Sequence, residues 1–327
     1  MVDVISIGEC LIDFVSEEVD KPLHRCRRFI RAPGGAPANV AVGISKLGVK
    51  SGFIGRIGDD DFGKLLEDVL IKNNVDTKYV IKDKQTRTTL AFSAKKIKGE
   101  KEILFYRNPG ADMMLEPEDL NEEYIKSSKL LFFGSVSLSS EPARETTKKA
   151  VECANRAGVK VLFDPNIRYG LWESSKQVKR VIKEFVPMCD IFKSGKQEIE
   201  FITGKKDLNT CTESIINQGP ELAVVTLGKR GCFFNVGEER GKVDSFKVKT
   251  VDSLGSGDSF TASMIYKLIE ENMLYRINRI SRKNIKKILG FANAGGAFTS
   301  TKPGVIPALP EIEDIKNLFS GTGIKYN

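Results

Sequence analysis

The chain has 327 residues, with 51 Lys and Arg against 43 Asp and Glu, a formal charge of +8 and six cysteines. That length supplies an ample core for one large α/β domain or two ordinary ones, which excludes a small disulfide-stapled scaffold. The cysteines form no C-x-x-C pair and have no histidine cluster beside them, so they read as reduced thiols.

No apolar run approaches the roughly 20 residues that span a bilayer. Met1 to Ile7 enters a strand-like run without a leader pattern, which gives the expectation of a soluble cytoplasmic protein. The basic excess favours anionic partners, but its densest cluster, His24, Arg25, Arg27, Arg28 and Arg31, is short. It reads as solvated surface and not as a nucleic-acid patch.

In chain order, the apolar run near Val4 opens the fold. Residues from about Cys10 to Arg31 then alternate with period two, as strands do. Asp13 lies in this stretch just after a buried strand; ionised, it only accepts hydrogen bonds, which suits either paired sugar hydroxyls or a capped turn. Ala32 to Ala41 turns into a helix that buries Val40, Ile44 and Leu47. Gly34 and Gly35 permit close approach of a ligand, and Asn39 offers a donor and acceptors; a tight strand-to-helix connection explains the same residues.

Phe62, Leu65, Leu66, Val69 and Leu70 mark one face of a helix. Thr88 to Arg107 alternates again, with Arg107 and Phe105 placed on one strand face. The two alternating regions, about 10–31 and 88–107, are expected to pair as a small β-sheet lid. Beyond them, β-branched runs alternate with helices: Leu130–Phe133 before a helix near 142–157, Val161–Phe163 before one near 176–185, and Val224–Thr226 before a hairpin around Gly231. Ile285, Ile288, Leu289 and Ala292 form a late helical face. The pattern predicts a Rossmann-like, doubly wound, mainly parallel α/β sheet in one domain over 1–327, without repeats or long linkers.

The chemistry concentrates in Val251 to Phe260. Small residues at 255 to 257 before a helix let amides converge on an anion, aided by the helix dipole, with Asp258 in the first turn as a base for an incoming hydroxyl. A helix-capping role for Asp258 is the alternative. Phosphoryl transfer suits the first reading, since it needs positioning, charge stabilisation and an aligned base. Neither a G-x-x-x-x-G-K-[ST] loop nor an H-R-D segment is present.

Seven segments in order resemble the ribokinase-like (PfkB) family of carbohydrate kinases, and within it the fructokinases: Gly8–Phe14, Gly34–Ala41, Gly55–Gly63, Phe105–Met113, Asp164–Arg168 with Leu171 and Trp172, Asp252–Asp258, and Gly304–Pro310. The resemblance implies a sugar held between lid and main domain, with ATP along the carboxyl ends of the strands. It implies Asp258 as base, the amides of Gly255, Ser256 and Gly257 as anion hole, and Asp13, Gly34, Gly35 and Asn39 on the sugar. Lys193, Thr226, Gly228, Gly231 and Asn293 fall on the nucleotide side, Asn293 near adenine. The family's N-x-x-E motif, which organises Mg2+ through water, is Gly195-Lys196-Gln197-Glu198 here, so only Glu198 carries over. Backbone near Asp252 is implied for a monovalent cation such as K+. Serines and Leu254 replace the family's usual threonines and alanines in the 252–259 loop, which backbone binding tolerates.

Arg107 and Arg168 bear on the acceptor. Fructokinases resemble this pattern, yet 2-keto-3-deoxygluconate kinases use similar arginines to bind a carboxylate. The run from Phe105 to Asp112 and Leu171-Trp172 favour fructose. A homodimer through the lid is a further implication, and a catalytically silent sugar or nucleotide sensor on the same fold is the rival from another class.

Overall fold

A computed structural model describes residues 1–95 and 102–320. Residues 96–101, inside the second strand region expected from the sequence, lie outside the described ones. The strands are β1 (Val4–Ile7), β2 (Leu11–Val19), β3 (Phe29–Gly34), β4 (Ser51–Gly58), β5 (Asp76–Asp83), β6 (Leu90–Lys95), β7 (Glu102–Tyr106), β8 (Leu130–Phe133), β9 (Lys160–Phe163), β10 (Ile191–Gly195), β11 (Leu222–Thr226), β12 (Cys232–Val236) and β13 (Glu239–Val243). The helices are α1 (Ala36–Lys46), α2 (Asp61–Lys72), α3 (Glu122–Lys126), α4 (Ala143–Ala157), α5 (Ser175–Phe185), α6 (Lys196–Thr203), α7 (Leu208–Ile216), α8 (Ser256–Glu270), α9 (Arg282–Thr299) and α10 (Ile312–Ser320).

Nine strands form one sheet in the order β13-β12-β11-β10-β9-β8-β1-β4-β5, parallel from β11 to β5 and antiparallel only at the β12–β13 edge. Central strands such as β1 and β8 are buried at every position and, Ser6 of β1 apart, apolar, as a sheet covered on both faces demands. Alternate side chains serve opposite cores. Ile5, Ile7, Leu131, Phe133 and Phe163 pack with Val151, Phe185, Ile199 and Ile215 from α4 to α7. Val4, Leu130, Phe132 and Leu162 pack on the other side with Val40, Ile44, Ile265 and Leu289 from α1, α8 and α9. This is the doubly wound arrangement that the strand–helix alternation predicts.

Chain order runs outward from β1 in both directions, through β4 and β5 on one side and through β8 to β11 on the other. The switch point between β1 and β8 opens a crevice at the strands' carboxyl ends, where α/β sheets place ligands.

The smaller sheet, in the order β3-β2-β6-β7, is spliced in at that crevice. β2 begins four residues after β1, and β3 ends directly in the Gly34-Gly35 turn before α1. Register aligns Ala32, Asp13, Ala91 and Phe105 across one face. On the other face Phe14 stacks on Phe92 with ring centroids 4.8 Å apart and meets Phe62 of α2 edge-on at 5.9 Å. Asp60 fixes the root of β6: it caps α2 by accepting from Gly63 N–H (2.8 Å) and also accepts from Thr88 N–H (2.9 Å). Arg107, placed on a strand by its alternation, lies just beyond β7, which ends at Tyr106 because the Asn108-Pro109-Gly110 turn follows. Among the described residues no helix is long and apolar enough to cross a membrane.

Phe133 and Phe163 stack with centroids 4.5 Å apart in the middle of the sheet, both fully buried. Phe133→Ala should cost about 3–5 kcal/mol in urea unfolding, because the rigid sheet cannot collapse onto the space. A loss below 1 kcal/mol would mean that this core is loosely packed.

Candidate active site

Two helices begin side by side at the crevice. α8 starts after Gly255, whose positive φ of 72° is a glycine conformation and whose missing Cβ leaves room for the Val305 side chain. The helical ladder starts with Ser259 N–H donating to the Gly255 carbonyl at 2.8 Å, so the amides of Gly257 and Asp258 precede it and carry the positive end of the helix dipole. Ser256 N–H donates to the Ser253 carbonyl at 3.3 Å, so within the expected trio of amides this one is drawn into the turn. α1 starts after Gly35, at φ 101°, where the Glu9 carbonyl occupies the place a Cβ would need. Pro37 stands in the first turn, where its missing N–H costs nothing.

Asn39 and Asp258 join the two first turns: Asn39 Nδ2 donates to Asp258 Oδ2 at 2.8 Å. Burial pushes the Asp258 carboxyl up; Asn39 and Lys193 draw it down, Asp164 raises it and Arg168 lowers it, leaving it at about 6. Surface area leaves Asp258 partly accessible from the cleft, so water is thinned around it, not excluded.

The sugar-side candidates gather above. The place of a Gly34 Cβ is filled by the Asp13 carboxylate, so that carboxylate lies on the glycine turn leading to Asn39. Phe105 shares the Asp13 face of the smaller sheet across Ala91. Arg168 lies near enough for its charge to act on Asp258, and its Nη1 donates to Asn166 Oδ1 at 2.6 Å.

Arg107 differs from the expectation of a cation available to the acceptor. It is buried, with Nε on Asp112 Oδ2 at 2.8 Å, Nη1 on Ser139 Oγ at 2.9 Å and Nη2 on the Val136 carbonyl at 3.4 Å. Its charge is already matched.

Beneath α8, Lys193 Nζ bonds Asp164 Oδ2 at 2.5 Å, both side chains buried, and Thr261 Oγ1 adds a longer contact to the same oxygen at 3.5 Å. A Cβ on Gly257 would stand 3.4 Å from Lys193 Nζ, which puts the ammonium under the first turn. Burial works against that charge, yet Asp164, with Glu198 and Asp258, holds the lysine above its ordinary pKa. Glu198 caps α6: it accepts from Gly195 N–H and Ile167 N–H, each at 2.7 Å. Burial, then Asp164, raises its pKa.

On the proposed nucleotide side, Thr226 ends β11 and donates to the Ser194 carbonyl at 3.3 Å. Leu227 N–H closes the following turn on the Gly231 carbonyl at 2.7 Å, with positive φ at Gly228 (59°) and Gly231 (89°). Asn293 is a buried strut: its Nδ2 donates to the carbonyls of Val243 (3.2 Å) and Asp244 (3.3 Å), fixing the exit of β13. Asp252 Oδ1 accepts from Leu254 N–H at 3.1 Å, shaping the loop before α8. Among the described residues no three His, Cys, Asp or Glu side chains converge as metal ligands.

Asp164 was not singled out as a site residue, although a carboxylate directly after an apolar β-run, here β9, is a strand-end position of the kind that faces a crevice. Glu9 and Asp112 were missed because their importance lies in burial, which alternation within strands does not report.

The whole described architecture has known counterparts. Residues 1–312 match the pfkB family carbohydrate kinase model. The chain is 42% identical over 308 residues to the probable fructokinase-2 of Arabidopsis thaliana, covering 94% of this chain and 92% of that protein. Among solved structures it is similar to the fructokinase with bound ATP from Xylella fastidiosa (TM-score 0.87, 28% identity, 98% of this chain and 99% of that one). It is likewise similar to a fructokinase double mutant from Vibrio cholerae in its fructose, ADP and potassium ion bound form (TM-score 0.87, 27% identity, 97% and 98% covered). The chain belongs to the PfkB family of carbohydrate kinases, and its fold is ribokinase-like.

Because the fold disfavours the charged form of Asp258, the penalty is absent at low pH where both states are protonated, grows from the ordinary value of 3.8 up to about 6 and is complete above it. The stability advantage of Asp258→Asn over the parent should therefore grow by on the order of 1–3 kcal/mol from about pH 3.5 to pH 7 and stay level above that. Paired denaturation curves check this; an offset that stays constant with pH would show that Asp258 ionises normally.

Proposed function

We propose that this kinase transfers the γ-phosphoryl group of ATP to the C6 hydroxyl of D-fructose, with Asp258 as the base. The observation that carries the reading is the Asn39–Asp258 bond, which fixes a carboxylate of raised basicity where two helix N-termini meet at the strand ends. A carboxyl near 6 is mostly ionised at neutral pH, yet it accepts a proton more readily than a solvated aspartate. As the hydroxyl attacks in line, Asp258 takes its proton, and the amides of Gly255 and Gly257 with Lys193 face the charge growing on the phosphoryl oxygens, the Ser256 amide being turned to the Ser253 carbonyl. Asp13, Gly34, Gly35, Asn39 and Phe105 hold the sugar, while Thr226, Gly228 and Gly231 form the nucleotide turn, bordered by Asn293 at the adenine end. Mg2+ carried by the ATP phosphates would supply charge neutralisation, with Glu198 as its water-mediated contact; K+ belongs near Asp252.

The neutral acceptor follows from Arg107. With Asp112 paired to it, further donors on Ser139 and Val136 and its side chain buried, it has little to offer a substrate carboxylate, which weighs against 2-keto-3-deoxygluconate. Arg168 then contacts hydroxyl oxygens near the reacting centre. The fructokinases of the Arabidopsis and Vibrio comparisons support the same acceptor.

Residues 1–327 act as one kinase domain in this reading, the smaller sheet serving as a lid whose closure keeps water from the phosphoryl group. Pairing of two copies through the lid belongs to the same proposal: Ile30 (52% exposed), Leu104 (48%) and Tyr106 (62%) leave apolar surface there.

In a coupled assay with fructose, 2-keto-3-deoxygluconate, ribose and adenosine, fructose should give the highest kcat/KM. Asp258→Asn should lower kcat by about 10²–10⁴-fold with little change in fructose KM. The parent's kcat should also fall as pH drops through about 6, as the base is protonated. Near-normal turnover in the variant would refute the role of Asp258, and a preference for the sugar acid would refute the acceptor.

A further inference from the structure

Glu9 has no part in the chemistry above, yet it grips the sugar turn at two points. Its side chain Oε1 accepts from the N–H of Ala36, the first residue of α1, at 3.0 Å. Its own carbonyl is the atom against which the missing Cβ of Gly35 would press. The residue is 3% exposed, although it lies at the end of β1 beside the crevice.

The second carboxyl oxygen, Oε2, is buried and has no hydrogen-bond partner. A carboxylate held only by neutral backbone amides, its own and that of Ala36, with one oxygen left without a partner, is poorly solvated, whereas the neutral acid needs far less. The groups around it divide. Asp112, from the turn after β7, opposes a negative charge; Arg107 and the N-terminus of α1 favour it, but Arg107 is matched by Asp112. Cys10, next in sequence, is a buried thiol held neutral.

We propose that Glu9 is a positioning residue for the sugar: as a buried neutral acid it sets the seat of the Gly34–Asn39 turn, and through Ala36 and Asn39 the distance between the bound sugar and Asp258. Ionisation places an unmatched charge beside Asp112 under the turn, loosening the sugar site without touching the base. Burial, then the repulsion of Asp112, puts that change at about pH 7 against the pull of the local backbone amides and Arg107, within the range in which the enzyme is assayed. The inference rests on the reading that this turn holds the sugar.

The test separates sugar affinity from turnover across pH. In the parent protein, fructose KM should rise about three- to tenfold from pH 6.5 to 8.5 with ATP KM steady. The acid limb of kcat near pH 6 belongs to Asp258. Glu9→Gln, which keeps an acceptor for Ala36 and cannot ionise, should hold the low KM and lose the rise. Glu9→Ala should raise fructose KM at least fivefold at pH 6.5 while kcat falls less than threefold. A Glu9→Gln enzyme that retains the parent's KM rise, or a folded Glu9→Ala enzyme with KM within twofold, overturns the proposal. Absence of fructose turnover in the unaltered protein would instead refute the acceptor, and the same comparison is then read with whichever panel sugar the enzyme uses.

Discussion

Everything at the crevice depends on the meeting of two helix N-termini, locked by the 2.8 Å bond from Asn39 to Asp258. Each first turn brings unpaired amides and positive potential, so a carboxylate between them is held close without being fully stabilised by a counter-ion. The fold makes the meeting unavoidable. α1 follows the first crossover segment and α8 the last long loop, and both pack on the same face of the sheet as Val4, Leu130 and Phe132. Gly35 and Gly255 are the joints that let the backbone enter both helices, one against the Glu9 carbonyl and the other against Val305.

Two buried ion pairs flank that centre, and they do different things. Lys193–Asp164 lies beneath α8, with Glu198 and Asp258 close enough to be felt, so one ammonium serves three carboxylates and is only partly neutralised by any of them. Such a lysine is placed to meet additional negative charge arriving from above. Arg107–Asp112 is tied into the protein: Nε, Nη1 and Nη2 each donate to a protein acceptor, and Thr89 Oγ1 adds a hydrogen bond to the aspartate. Burying a matched pair seldom adds stability over apolar residues, but it fixes geometry, here the floor beneath Glu9 and the sugar turn.

The sheet and its helices were legible because burial on both faces leaves unbroken apolar runs such as Leu130–Phe133, and because caps and glycines mark the helix starts. The expected helices near 142–157 and 176–185 are α4 and α5. The glycine turns near the crevice were legible for the same local reason, as the starts of α1 and α8. What could not be read was the partner of each charge. Asp112 is five residues from Arg107 and could be matched to it by spacing, but nothing local tells that Ser139 takes the next donor or that Glu198 spends both oxygens on amides 31 and 3 residues away. Those pairings arise from the order of strands, which the sequence specifies only through the whole fold.

The net charge of +8 acquires a place once the fold is known. Between Gly228 and Thr250, around the proposed nucleotide turn and the β12–β13 edge, stand Lys229, Arg230, Arg240, Lys242, Lys247 and Lys249, all exposed, against Glu238, Glu239 and Asp244. Lys242 is paired to Asp244 at 2.5 Å and Glu239 to Arg282 at 2.9 Å. This stretch is locally basic, six cations against three anions, which favours an approaching anion over about one Debye length, ~8 Å at physiological salt; a larger excess lies between Glu271 and Glu311, where seven Lys and Arg face no carboxylate in sequence. In the proposed function the attraction passes at shorter range to Lys193 and the helix amides, so the surface charge would serve approach and the buried charge alignment.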